Sequence, residues 1–141
     1  MGKINLSRVI LGGILAGIVV NISEGVLHEV FLKSQMEESM KALGKTMPTG
    51  GGTLVVWLLY GFAWAIGAVW LYAAIRPRFG PGPGTAVRAG IAAWFFTCVL
   101  SMISMTNMGL FPFSALAFFW MLVQDIVATI IGAWVYKESP A

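Results

Sequence analysis

The sequence predicts an all-α fold: a four-span transmembrane helix bundle with a short amphipathic helix in the first outer loop. Three observations carry this. Of 141 residues, 58% are hydrophobic and 11% charged, whereas an ordinary soluble domain carries about 25% charged residues. The mean hydropathy is +0.83. Four apolar runs, 9–32, 54–75, 89–108 and 115–136, each reach the ~20 residues that cross a hydrocarbon core about 30 Å thick. Little sequence remains for a soluble domain, so residues 1–141 read as one integral membrane domain.

The first run has Lys3 and Arg8 ahead of it, as a signal peptide would. It is longer than a typical signal core and no small-x-small cleavage site precedes the next polar loop, so it reads as a retained span. Within it stand Asn21, Glu24 and His28. At ~100° per residue these three fall within about 60° of one another, on a face shared with Gly17 and Gly25. A face of small and polar residues is expected to meet protein rather than lipid.

The loop after it has its own pattern. Ser34-Gln35-Met36-Glu37 has the spacing of a capping box, Gly44 is a natural helix stop, and Met36, Met40 and Leu43 share a face. This describes a short amphipathic helix lying at the outer interface. The same residues also suit a straight continuation of span one, since no Gly or Pro interrupts the chain between Leu27 and Gly44. Pro48 to Gly52 then forms a hinge back into the membrane. No GK[ST] follows those glycines, so they do not make a phosphate loop.

In the second run Trp57 and Tyr72 suit the two interfaces of an aromatic belt. Trp57, Tyr60, Gly61, Trp64 and Ala68 share one face, which suits core packing or, more sharply, a flat ligand stacked on the rings. Arg76 to Gly84 is rich in Pro and Gly and reads as a basic loop that touches anionic headgroups. The third run places Thr97, Ser101 and Ser104 in one stripe. An uncharged turn with Pro112 then makes spans three and four antiparallel neighbours. The fourth run places Met121, Asp125, Ala128, Thr129 and Gly132 on one face, with Gln124 at its edge. Small-residue pairs, Gly13/Gly17, Ala63/Gly67, Ala89/Ala93 and Ala128/Gly132, mark the expected helix contacts.

Charge sets the orientation. Lys3, Arg8, Arg76, Arg78, Arg88 and Lys137 fall on one side and Lys33, Lys41 and Lys45 on the other, six against three. By the positive-inside bias both termini are cytoplasmic. Compact loops point to a bacterial inner (plasma) membrane. The basic pI near 9.3 reflects these span-end residues, so no nucleic-acid partner is expected. The expected partners are the lipid bilayer and either further copies of the chain or a larger membrane complex.

Depth gathers the polar residues. Glu24 lies eight residues from the outer end of its run and Asp125 ten from the outer start of its own. At 1.5 Å per residue that is a difference of only ~3 Å. Ser101, Ser104 and Tyr60 are also in the outer half. The expected site is a polar pocket of Asn21, Glu24, Ser101, Ser104, Gln124 and Asp125, with His28 and Tyr60 nearer its mouth. A charged group at a helix centre costs about 2.5–3.5 kcal/mol on insertion scales. No Lys or Arg lies at this depth, so the two carboxyls are protonated, share a proton or flank a cation. The bland alternative is a hydrogen-bonded polar core that fixes helix register.

Other chemistries are poorly supported. Glu24, His28 and Asp125 are the candidates for a metal, with only one histidine in the chain. Met102, Met105 and Met108, with Met36, Met40 and Met47, raise soft-metal capture such as Cu(I), although Met also fills helical cores. A bis-histidine haem is impossible in one chain. Cys98 is the single cysteine and excludes an intramolecular disulfide. No nucleophile–base pair or Gly-rich cofactor turn is present, so no enzyme is expected and the sequence requires no cofactor. The sequence predicts a carrier or binder of a cation, proton or small polar ligand at an outward-facing pocket, oligomeric by its size; the alternative is a non-catalytic accessory or assembly subunit.

Overall fold

The computed structural model describes residues 3–138. Four long apolar helices, each able to cross a membrane, pack as a bundle: α1 (Leu6–Ala42), α2 (Gly51–Phe79), α3 (Pro83–Asn107) and α4 (Ala115–Val135). α1 packs against both α2 and α4, and α3 closes the square between α2 and α4. The Asn5 N–H points at the Tyr136 hydroxyl at 3.4 Å, so both chain ends lie at one end of the bundle. The first and third loops lie at the other, called here the loop end. The protein is thus an integral membrane protein whose lipid-facing surface is apolar.

Small residues bring the backbones together in the half nearer the termini. A methyl group on Gly12 would strike the Gly132 carbonyl, one on Gly13 would strike Ile66, and one on Gly17 would strike Phe62. A methyl on Gly90 would lie 2.9 Å from the Asp125 carbonyl oxygen. Gly13/Gly17, Ala89/Ala93 and Ala128/Gly132 therefore lie where helices meet. Ala63/Gly67 does not: both are exposed, and nothing lies within 4 Å of a methyl built on Gly67. Gly61, Ala65 and Ala68 make the contact face of α2 instead. A pair four residues apart marks any smooth stripe, and only the neighbouring helix decides which stripe is used.

The segment 33–42 takes the second of its two courses. It continues α1 in helical geometry, so α1 runs 37 residues, about 55 Å at 1.5 Å per residue. The capping-box spacing at Ser34 is unused because the chain there is already helical: Leu32, Lys33 and the residues after them stay in the α-helical region. Gly44 does end the helix, at φ +68°, with Gly44 N–H on the Lys41 carbonyl and Lys45 N–H on that of Met40.

The basic loop is shorter than its Pro and Gly content suggests. Arg76 to Phe79 form the last turn of α2, with Pro77 inside it, and Pro83 opens α3 at its first turn. Only Gly80, Pro81 and Gly82 connect them. Pro77 withholds one N–H, the partner of the Ala73 carbonyl a turn upstream, and the helix closes within a turn of it, where Gly80 N–H still reaches the Arg76 carbonyl at 2.8 Å. Tyr72 is buried, not a belt residue: its hydroxyl accepts from Gly82 N–H at 3.3 Å and its ring stacks edge-on against Tyr136.

Two helices carry a π-helical turn, Leu27–Leu32 in α1 and Phe95–Val99 in α3. Each adds a residue to one turn and swings the following side chains around the axis, and such turns are frequent at functional sites. In α3 the Leu100 N–H reaches back five residues to Phe95, while the Thr97 hydroxyl donates to the Ala93 carbonyl at 2.8 Å and accepts from the Trp64 indole at 3.2 Å. At the loop end the bundle opens. Every residue of α2 from Leu54 to Tyr60 is exposed, while α1 stays against α4 through Leu27, Leu32 and Ala117, with Met36, Met102, Trp120 and Met121 packed around them.

Candidate functional site

The centre of the loop-end half is a chain of polar side chains running from α1 to α4. Asp125 and Gln124 are consecutive on α4 and both are buried, at 4% and 6% exposure. Glu24 faces them from α1. The Gln124 Nε2 donates to Glu24 Oε1 at 2.7 Å and points at Asp125 Oδ1 at 3.4 Å. One amide nitrogen thus touches carboxyls on two helices, which lie within two hydrogen-bond lengths of each other. Thr129, one turn beyond, donates to the Asp125 carbonyl and not to its side chain.

His28 completes the chain on the side toward the loop end. Its Nδ1 lies 3.1 Å from Glu24 Oε2 and 3.0 Å from the Glu24 backbone carbonyl. The carbonyl can only accept, so Nδ1 carries the hydrogen and Nε2 is left to take or release a proton. Both Glu24 oxygens therefore face donors, one from each neighbour. His28 stands inside the π-helical turn, which begins three residues after Glu24.

The eight residues expected at the site divide. Glu24, His28, Gln124 and Asp125 come together. Asn21 turns to α2: its Nδ2 donates to the Leu58 carbonyl there at 3.3 Å and to the Gly17 carbonyl of its own helix at 2.9 Å, and its amide covers Gly61. Tyr60 is 58% exposed and stacks edge-on with Trp57 on the outside of α2. Ser101 is exposed and Ser104 half-buried, and neither hydrogen-bonds to the centre. The π-helical turn in α3 is the physical reason for the serines: an added residue shifts the phase of every side chain after it.

Two residues near the site, Trp120 and Cys98, are not assigned to it by the sequence. The Trp120 indole donates to the Ser23 hydroxyl at 2.8 Å, tying α4 to α1 beside Glu24, and packs on Phe31. Trp120 lies one turn before Gln124 on the same helix, a spacing legible once Gln124 is taken as the anchor. Cys98 is buried on the π-helical turn of α3.

The candidate metal ligands do not form a metal centre. Among the described residues no three His, Cys, Asp or Glu side chains are grouped to hold a metal ion. His28 binds the far side of Glu24 from Asp125, and the Gln124 amide stands between the carboxyls. The methionines part as well: Met36 and Met102 pack into the bundle, while Met105 and Met108 are exposed. The chain matches no family model, no curated protein and no solved structure.

Proposed function

We propose that this small multi-pass membrane protein binds a proton at Glu24, Gln124 and Asp125 and exchanges it with one side of the membrane through His28. One observation carries the reading: a single amide nitrogen lies against carboxyls from two helices, at a depth with no lysine or arginine. Ionised carboxyls in hydrocarbon need a counter-charge, and intramembrane carboxyls facing a bundle interior serve proton and ion pathways. Asp125, buried and with one long contact, stores the proton. Glu24, held by two donors, is the acceptor next in line. His28 takes a proton at Nε2 and gives the one on Nδ1 to Glu24 Oε2, the relay that imidazole performs near neutral pH.

Four spans are few for a conduit, so the working unit is a homo-oligomer or part of a larger membrane complex. The Lys/Arg imbalance supports cytoplasmic termini in a bacterial inner membrane, with His28 toward the opposite face. No bond is made or broken beyond proton transfer, and no enzyme activity is invoked.

The test is proton uptake by the purified protein after an acid jump, read with a pH dye in weak buffer. Wild type takes up protons between pH 8 and 6 that the double variant Glu24→Gln with Asp125→Asn does not. Equal uptake by both rules the reading out.

A second reading, an accessory subunit, is favoured by the bare half of α2, where Leu54, Val56, Trp57 and Leu59 are 59–65% exposed. Under that reading the double variant keeps its partner on co-purification and loses nothing on acidification.

A further inference from the structure

At the end of the bundle that holds the termini, Arg76 is given too few acceptors for its charge. Its side chain is 20% exposed, and Nε and Nη1 are shut away from water with no hydrogen-bond partner. Glu138 Oε1 stands 3.2 Å from Nη1, near enough for charge attraction but turned so that no hydrogen bond closes. The face of the guanidinium is taken by the Tyr136 ring, 5.6 Å from its centre. That leaves the edges, where every N–H lies, still to be matched. A carboxyl or an amine buried in this way sheds its charge, but a guanidinium cannot. It keeps the charge, and with it the cost of each buried donor left unpaired.

The missing partner is an anion, and the surroundings say which kind. Arg76 lies in the last turn of α2, at the level where the spans end. Lys3, Arg8, Arg78, Arg88 and Lys137 share that end, and Glu138 is the one acid there among the described residues. The anions at that depth are the phosphates of lipid headgroups, and an excess of Lys and Arg draws in the acidic ones. Phosphate also suits the donor, since a planar guanidinium fork pairs with two of its oxygens at once. A second cation is fixed close by: the Arg88 guanidinium of α3 sits over the Phe79 ring at 5.1 Å, one turn along α2 from Arg76.

We propose that Arg76 anchors a site for the phosphate group of an acidic phospholipid, and that Glu138 is the internal stand-in which the phosphate displaces. The tail is free to give way. Tyr136 N–H ends α4 on the Ala133 carbonyl at 3.1 Å, and among the described residues no backbone hydrogen bond holds Lys137 or Glu138. Exchanging one anion for another keeps Arg76 neutralised and closes the N–H edges that Glu138 leaves open. The site shares no residue with the Glu24–Asp125 centre, so it stands or falls apart from the proton-binding reading.

The test uses the purified chain in a neutral detergent with phosphatidylglycerol, phosphatidylcholine or inorganic phosphate added. Bound lipid is read by native mass spectrometry and stability by thermal unfolding. Phosphatidylglycerol should raise Tm by about 8 °C at a hundredfold excess over Kd. Phosphatidylcholine, whose choline cancels the headgroup charge, should bind about tenfold more weakly or worse. Inorganic phosphate at the same concentration should leave Tm unchanged, because it lacks the chains that pack on the apolar surface. Arg76→Gln should weaken the phosphatidylglycerol site about thirtyfold, the loss of a hydrogen bond to a charged group. Arg78→Gln, which removes an exposed charge from the same turn, should cost about fivefold at most. Glu138→Gln leaves Arg76 whole and should tighten the site about fivefold, so it reads the site even if Arg76→Gln does not fold. Equal losses from Arg76→Gln and Arg78→Gln, equal binding of phosphatidylcholine, or no gain from Glu138→Gln overturns the site. The same Tm rise with inorganic phosphate overturns the lipid as its occupant.

Discussion

Gln124 Nε2 lies 2.7 Å from Glu24 Oε1 across 100 residues of sequence, and the bond joins the first helix to the last inside the bundle. Its position is set by backbone contacts nearer the termini. Gly12 against the Gly132 carbonyl fixes the approach of α1 to α4, and Glu24 and Gln124 meet about two to three turns farther toward the loop end. A polar bond between two helices is thus held by a glycine contact that contains no polar side chain.

That bond is measurable with a double-mutant cycle on Glu24→Leu and Gln124→Leu. A hydrogen bond to a charged group contributes about 1.5–3 kcal/mol, so the coupling energy should fall in that range if Glu24 is ionised. It should drop to about 0.6 kcal/mol, the average for neutral pairs in membrane helices, if Glu24 is protonated under the assay conditions. Reversible unfolding in mixed micelles gives the four stabilities. A coupling near zero would show that the two side chains do not bond.

His28→Gln separates delivery of protons from their storage. The amide can still donate to Glu24 Oε2 but cannot take up a proton at neutral pH. The number of protons bound after an acid jump should fall by no more than the one belonging to His28, while the rate of uptake should fall by about tenfold or more, since general acid–base groups contribute factors of 10²–10⁴. Stopped-flow dye kinetics reads both. An unchanged rate removes His28 from the path.

How much of this could be read from the chain differs by residue. The four spans, the pairing of Glu24 with Asp125 in depth and the Gly44 stop followed from apolar length, rise per residue and left-handed backbone preference, which are local properties. Ser101 and Ser104 were misplaced because an extra residue in the turn at Phe95–Val99 leaves no mark on hydrophobic periodicity, and a regular helix wheel carries its phase straight through. Asn21 was assigned to the right helix and the wrong neighbour: its face meets α2, where Gly61 leaves room for its amide. That Pro77 breaks the helix is an expectation that holds for interiors and fails in a last turn.

The glycine contacts give a paired prediction. Gly132→Ala should destabilise the bundle by about 1–3 kcal/mol, since its methyl would meet Val69 and the Ala16 side chain at 3.2 Å. Gly67→Ala, with nothing within 4 Å, should be neutral or stabilise by up to ~1 kcal/mol through helix propensity. Equal effects at the two positions, measured by unfolding in the same micelles, would contradict the packing of α1, α2 and α4 described above.

Asn21 and Gly61 allow a sharper test, because one is the obstacle to substituting the other. A methyl on Gly61 would run into the Asn21 side-chain amide, which is itself held by the carbonyls of Gly17 and Leu58. Gly61→Ala alone should therefore cost about 1–3 kcal/mol through overpacking. Asn21→Ala alone gives up two hydrogen bonds to backbone, at about 0.6 kcal/mol each in membrane helices, and leaves a space beside α2. Combined, the new methyl enters that space and the losses should not add: the double variant should be at least ~1 kcal/mol more stable than the sum of the single effects predicts. Strict additivity would place Asn21 away from Gly61 and detach the start of α2 from α1 at that level.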